Sequence, residues 1–60
     1  MKKIKLERIR NDYTQERFAE LLGISTRTVS LIENGNQHPK FFLVVKMAKV
    51  LNVSVDFFAE

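Results

Sequence analysis

The chain has no cysteine, and its 60 residues include one proline, one histidine and two glycines. The missing thiols exclude a disulfide scaffold and a thiolate zinc site, and they suit a reducing cytoplasm. The single histidine, His38, stands beside Pro39 with no carboxylate cluster around it, so no metal is expected and a solvent-exposed loop position is. No apolar run approaches the roughly 20 residues of a membrane span, and no secretory signal pattern is present. The expectation is a soluble, cytoplasmic protein with no membrane partner. Catalytic chemistry lacks its parts too. Asp12, Glu16 and Glu20 are scattered over helix ends and surfaces, and neither a glycine-rich phosphate loop nor a nucleophile paired with a base is present. An enzyme, a cofactor and a small-molecule ligand are therefore not expected. No repeat, low-complexity tract or linker divides residues 1–60, which leaves one domain. A domain this short buries only about 60% of its unfolded surface, so an added contact such as a dimer partner would help it.

Positive charge is in modest excess, with ten Lys and Arg against seven Asp and Glu for a net +3. Lys2, Lys3, Lys5, Arg8 and Arg10 crowd the first ten residues with only Glu7 against them. The excess fits polyanion binding and fits a solvated helix face equally well.

Periodicity predicts helices throughout. Residues 3–11 form the first, with an imperfect apolar stripe of Ile4, Leu6, Ile9 and Tyr13 and a stop at Asn11-Asp12. Thr14 caps the second, which sets Phe18, Ala19 and Leu22 on one inward face before Gly23 ends it in the left-handed region. Ser25 caps the third, with Ile24 stapled onto Val29. There Val29 and Ile32 face inward, which leaves Thr26, Arg27, Ser30, Leu31 and Asn34 outward with nothing of their own to bury against; Thr28 is read as hydroxyl chemistry at the helix start. A polar loop broken by Pro39 leads to a fourth helix from Lys40 or Phe41 to Leu51, with core positions Phe41, Val44, Met47 or Ala48, and Leu51. Asn52 ends it, tolerating the left-handed region better than most residues do, and Ser54 caps a short fifth helix, VDFFAE.

The order Gln15, small Ala19, Gly23, Ile24, Val29, Ile32, closed by Glu33-Asn34-Gly35, resembles the helix-turn-helix of phage repressor and Cro-like (Xre-type) transcriptional regulators. Ala19 carries much of the resemblance, because a bulky residue there would push the two helices apart. The likeness extends from the N-terminal helix to Val53-Ser54-Val55-Asp56 and implies an all-α, compact, five-helix Cro/repressor-like domain with its helix-turn-helix unit at 15–34. It implies sequence-specific binding of double-stranded DNA at a palindromic operator, with repression by promoter occlusion and helix 26–33 in the major groove. By the same resemblance Thr26, Arg27, Ser30 and Leu31 meet base edges. Arg27 leads, since a guanidinium can contact guanine O6 and N7 together for about 1–3 kcal/mol of discrimination. Gln15 matches the family's phosphate-clamping glutamine, and Thr14, Arg17, Asn34, Asn36, Gln37 and Lys40 flank the groove-facing helix within reach of phosphates. Arg8 and Glu33 match a structural ion pair that ties the first helix to the end of the third.

The run Phe41-Phe42-Leu43-Val44-Val45 is apolar all round the helix, and one face cannot bury all of it. The family usually has polar residues where Phe42 and Leu43 stand, so the run either thickens the core or covers a second interface. Together with Val55, Phe57 and Phe58 they are assigned to a homodimer interface, with one of Phe57 and Phe58 expected to complete the monomer core instead. A rival function keeps the fold and changes the partner: an antitoxin or anti-regulator whose apolar segments 41–45 and 55–58 bind another protein.

Overall fold

The computed structural model describes residues 1–58, in which four α-helices follow one another: α1 (Lys2–Arg10), α2 (Gln15–Leu22), α3 (Thr26–Glu33) and α4 (Phe41–Leu51). Among the described residues there is no strand. The expected fifth helix is corrected to a single 3-10 turn, Val55–Phe58, in which the Phe57 N–H bonds back to the Ser54 carbonyl at 3.1 Å. Four residues cannot repay the nucleation of an α-helix, and the tighter turn is the usual outcome. The rest of that expected helix, Ala59 and Glu60, lies outside the described residues.

All four helices stop by the same device. Asp12, Gly23, Gly35 and Asn52 take up positive φ of 61°, 74°, 80° and 58° just past α1, α2, α3 and α4. In each case the next residue's N–H reaches back over the turn: Tyr13 to Arg8, Ile24 to Ala19, Asn36 to Leu31 and Val53 to Ala48, at 2.9 to 3.1 Å. These are Schellman closures, and each satisfies carbonyls that the helix end would leave orphaned. Nothing lies within 4 Å of a Cβ built on Gly35, and only the far end of Lys46 approaches one built on Gly23. Glycine is therefore favoured at these two places by the left-handed backbone and not by crowding. Helix starts are less uniform. Thr14 and Ser25 accept the N–H of Arg17 and Thr28 at 3.0 Å, as their sequence positions predict, whereas α1 and α4 begin without a side-chain cap.

Ile4, Phe18, Ala19, Leu22, Val29, Ile32, Leu43, Met47 and Leu51 form one contiguous core, with Ala48 buried beside it. Tyr13, Ile24, Val44, Val50, Val53 and Phe58 pack on its edges. The Tyr13 and Phe18 rings stack at 6.3 Å, which carries the loop before α2 onto the core. The inner wall formed by Phe18, Leu22, Val29, Ile32 and Met47 encloses no space for a water molecule.

Two helices are turned differently from expectation. In α1 the anticipated stripe fails at Leu6 and Ile9, which are 59% and 52% exposed, because the inward side is taken by Ile4, Glu7 and Arg8. In α4 Phe41 is not a core residue but 73% exposed, and Leu43, assigned to an interface, is only 9% exposed and part of the monomer core. Leu43, Met47 and Leu51 recur every fourth residue and set the buried face, with Ala48 alongside. Helical side chains lean toward the N-terminus, so Phe41 and Phe42 in the first turn point past the end of the core and find nothing to cover them. An apolar run all round a helix cannot reveal which of these faces wins.

This rotation separates two substitutions. Leu43→Ala should lose about 2–5 kcal/mol of stability, as large-to-small changes in filled cores do. Phe41→Ala should stay within about 0.5 kcal/mol of wild type. Urea denaturation measures both, and equal losses would mean that α4 is rotated from the face described here.

Candidate nucleic-acid interface

Helices α2 and α3 meet across the turn Gly23-Ile24-Ser25, and Ala19 is small enough to let them close on one another. With Val29, Ile32 and Glu33 turned inward, the opposite side of α3 presents Arg27 and Asn34 exposed and Ser30, Leu31 and Thr26 partly so. Thr28 is drawn to the helix start, its hydroxyl 2.8 Å from that of Ser25. The single carboxylate of α3 belongs to Glu33 and is buried, so the outward side carries the guanidinium of Arg27 and no negative charge.

Glu33 is held by a cluster that joins every segment around it. Arg8 donates through Nε to Glu33 Oε2 at 2.6 Å and through Nη2 to Oε1 at 3.3 Å, a two-pronged pairing of guanidinium with carboxylate. Its remaining prong, Nη1, donates to the Tyr13 carbonyl at 2.7 Å. Gln15 Nε2 donates to Glu33 Oε1 at 3.0 Å, so the glutamine expected at a phosphate is also part of this cluster. The Met1 ammonium donates to the Ile32 carbonyl at 2.8 Å, on the last turn of α3. Among the described residues no buried side-chain polar atom lacks a partner. The chain reversal after α1, the first turn of α2 and the last turn of α3 are thus fixed to one guanidinium–carboxylate pair.

The flanking residues divide. Thr14 and Gln15 lie together at the α2 N-terminus, and Asn36, Gln37 and Lys40 are exposed along the loop from α3 to α4. Lys40 precedes α4 as its N-cap without a capping side-chain bond, and the first turn of that helix holds no acid. Arg17 is instead paired with Glu20 on the same exposed face of α2, which halves its use as a free cation.

The five residues assigned to one dimer interface are divided between the core and the two ends of α4. Leu43 is in the core. Phe42, 71% exposed, belongs to the first turn of α4, while Val55, Phe57 and Phe58 follow its last turn. An eleven-residue helix about 16 Å long stands between the two groups. Phe58 packs on the core and meets Phe57 edge-to-face at 5.3 Å, so it is Phe58 that completes the monomer. Sequence reasoning missed Lys3, whose Nζ donates to the Phe57 carbonyl at 3.2 Å and lies 5.3 Å from the centre of its ring. It also missed the Tyr13 carbonyl, since a backbone acceptor leaves no trace in residue type.

The cluster gives a direct test. Glu33→Gln leaves the Arg8 charge buried without its counter-ion, a loss of about 3–5 kcal/mol. A domain of 60 residues has about 3–9 kcal/mol in all, so the variant should be largely unfolded or melt far below wild type. A thermal midpoint unchanged by Glu33→Gln would show that the pair is not needed.

The family model described as Helix-turn-helix matches residues 4–58. The uncharacterized HTH-type transcriptional regulator YazB of Bacillus subtilis (strain 168) is 48% identical over 44 residues, covering 73% of this chain and 64% of that protein. The chain thus spans a little under two thirds of that relative's length. YgzD of the same organism is 33% identical and MJ0272 of Methanocaldococcus jannaschii 37% identical, each over 54 residues that cover 90% of this chain and 82% of the relative; both are likewise named uncharacterized HTH-type transcriptional regulators. No solved structure matches significantly. A match from Ile4 to Phe58 takes in all of α2, α3 and α4 and the turn that joins the first two: the chain belongs to the Cro/C1-type (Xre) helix-turn-helix family of transcriptional regulators.

Proposed function

We propose that the protein is a cytoplasmic, DNA-binding transcriptional repressor, a single domain that binds a palindromic operator as a homodimer and inserts α3 into the major groove. One observation carries this reading. The outward side of α3 offers Arg27, Asn34, Ser30 and Leu31 with its only carboxylate turned inward, so this helix brings no negative charge of its own to a duplex. Arg27 reads a base, most simply guanine through O6 and N7, with Thr26, Ser30 and Leu31 beside it, Leu31 able only to touch a thymine methyl. Thr14 and Gln15 hold one phosphate strand at the α2 N-terminus, where the helix dipole adds partial positive charge. Lys40, Asn36, Gln37 and Asn34 hold the other side. Arg17, already shared with Glu20, contributes least. Bound across a promoter, such a dimer represses by exclusion.

The dimer is assigned to Val55 and Phe57 on the 3-10 turn, both half-buried in the monomer, with Phe42 at the other end of α4 outside that contact. So small an interface gives a weak pair that assembles fully on DNA, with recognition helices about 34 Å apart. The rival role, an antitoxin-like module that binds a protein, draws on the exposed Phe41 and Phe42. Salt separates the two: duplex binding falls steeply as salt rises, whereas an apolar protein complex survives it.

Selection of bound sequences from a random duplex pool supplies the operator. Arg27→Ala should then relax preference at one position of that operator, and Lys40→Ala should weaken all sequences alike and reduce the salt slope by about one. An unchanged sequence preference for Arg27→Ala demotes Arg27 to a phosphate contact. In sedimentation with the palindromic duplex, Val55→Glu should bind as single copies and Phe42→Glu as pairs. Pairs with both variants would remove the 3-10 turn from the interface.

A further inference from the structure

We propose that the outward side of α1 is a docking surface for an acidic, amphipathic segment of a partner protein. This helix is built inside out. Glu7 and Arg8 are buried, while Leu6 and Ile9 are more than half exposed. At 100° per residue Lys2, Leu6 and Ile9 share one side of the helix, directly opposite Ile4 and Arg8, and Lys5 and Arg10 flank them. Neither aliphatic side chain is spent on the core or on the Arg8–Glu33 cluster, and the cations on either side of them are exposed, Lys5 on one edge and on the other Arg10, which also meets the carboxylate of Glu7 at 3.5 Å. The surface therefore combines an apolar strip with a border of one charge.

Charge complementarity selects the occupant. A second copy would bring Lys2, Lys5 and Arg10 against themselves, which disfavours self-association through this side. Duplex DNA matches the cations but has nothing along its phosphate backbone to match Leu6 and Ile9. A bilayer matches both, yet two aliphatic side chains on a nine-residue helix are less than the apolar anchor that even marginal membrane attachment requires. A polypeptide helix with leucine-like residues along one side and carboxylates beside them supplies both chemistries at the right spacing. This is the helix-on-helix mode of recognition, with anchors three and four residues apart. The face is about 14 Å long, so binding by this helix alone is weak, on the order of 100 µM.

The test uses the full chain, isotopically labelled, titrated with a synthetic amphipathic helix bearing leucines along one side and glutamates beside them. Amide shifts should centre on Lys2, Lys5, Leu6 and Ile9 and shrink as salt is raised. The double variant Leu6→Ser/Ile9→Ser should bind the peptide at least tenfold more weakly, with an unchanged melting temperature and unchanged affinity for the selected operator. That pairing keeps a failure here distinct from a failure of the DNA-binding reading. The proposal is overturned if a scrambled peptide of the same composition binds equally well, if the shifts centre on α3, or if the variant binds as wild type does. It is also overturned if phosphatidylglycerol–phosphatidylcholine vesicles shift these amides and the peptide does not, or if no shift appears by about 1 mM peptide.

Discussion

Arg8 and Glu33 occupy the one place where α1, the loop before α2, the start of α2 and the end of α3 come within hydrogen-bonding distance of one another. Taking two charges out of water is unfavourable, and a pair of well-packed apolar residues could match the stability that remains. An apolar pair could not match the geometry. The guanidinium has a fixed fork, two prongs of which meet one carboxylate while a third meets the Tyr13 carbonyl, so the last turn of α3 is held in position as well as in contact. The pairing also removes the only carboxylate of α3 from its outward side. One buried interaction thus sets both the angle of the candidate recognition helix and the sign of its surface.

Around that tie, the fold relies on economy at its helix ends. A chain of 60 residues has little core to spare, and an unsatisfied carbonyl at a buried helix end costs as much as a lost packing contact. Four left-handed closures meet this cost with backbone alone, and they permit connections short enough to keep four helices around one core. Glycine is used for only two of the four. Asp12 and Asn52 take the others, because short polar side chains tolerate that region better than branched or bulky ones.

Exposed apolar residues are left over where the core has run out of room. Phe41 and Phe42 extend past the start of α4, and Leu6 and Ile9 line the outside of α1. The two sets differ in their surroundings. Cations border the second set and give it a charge to match. A single aromatic, Phe58, closes the far end of the core, and Phe57 beside it is held by Lys3 from the opposite end of the chain.

Local chemistry was fully legible in the sequence. Thr14 and Ser25 as caps, Gly23 and Asn52 as stops, and the inward sets of α2 and α3 follow from hydroxyls, backbone freedom and a 3.6-residue period, all properties of a few neighbouring residues. The residues available to a nucleic acid on α3 follow from the same period, since whatever is not buried must face out. Rotation of α1 and α4 was not legible. In α1 a buried charge displaced Leu6 and Ile9 from the core, and the reason, Glu33, is 25 residues away. In α4 five consecutive apolar residues fit any face, and packing into the shared core chose Leu43 over Phe41. The sequence by itself determined where the four α-helices lie, where they stop and which sides of α2 and α3 turn inward, because those are local free energies; only the closing segment, read as a fifth helix, is a 3-10 turn instead. Only the tertiary structure decided which way α1 and α4 turn, that Gln15 shares the carboxylate of Glu33, and that Phe42 and Val55 lie at opposite ends of a helix. Those outcomes depend on partners distant in sequence, whose positions no local period encodes.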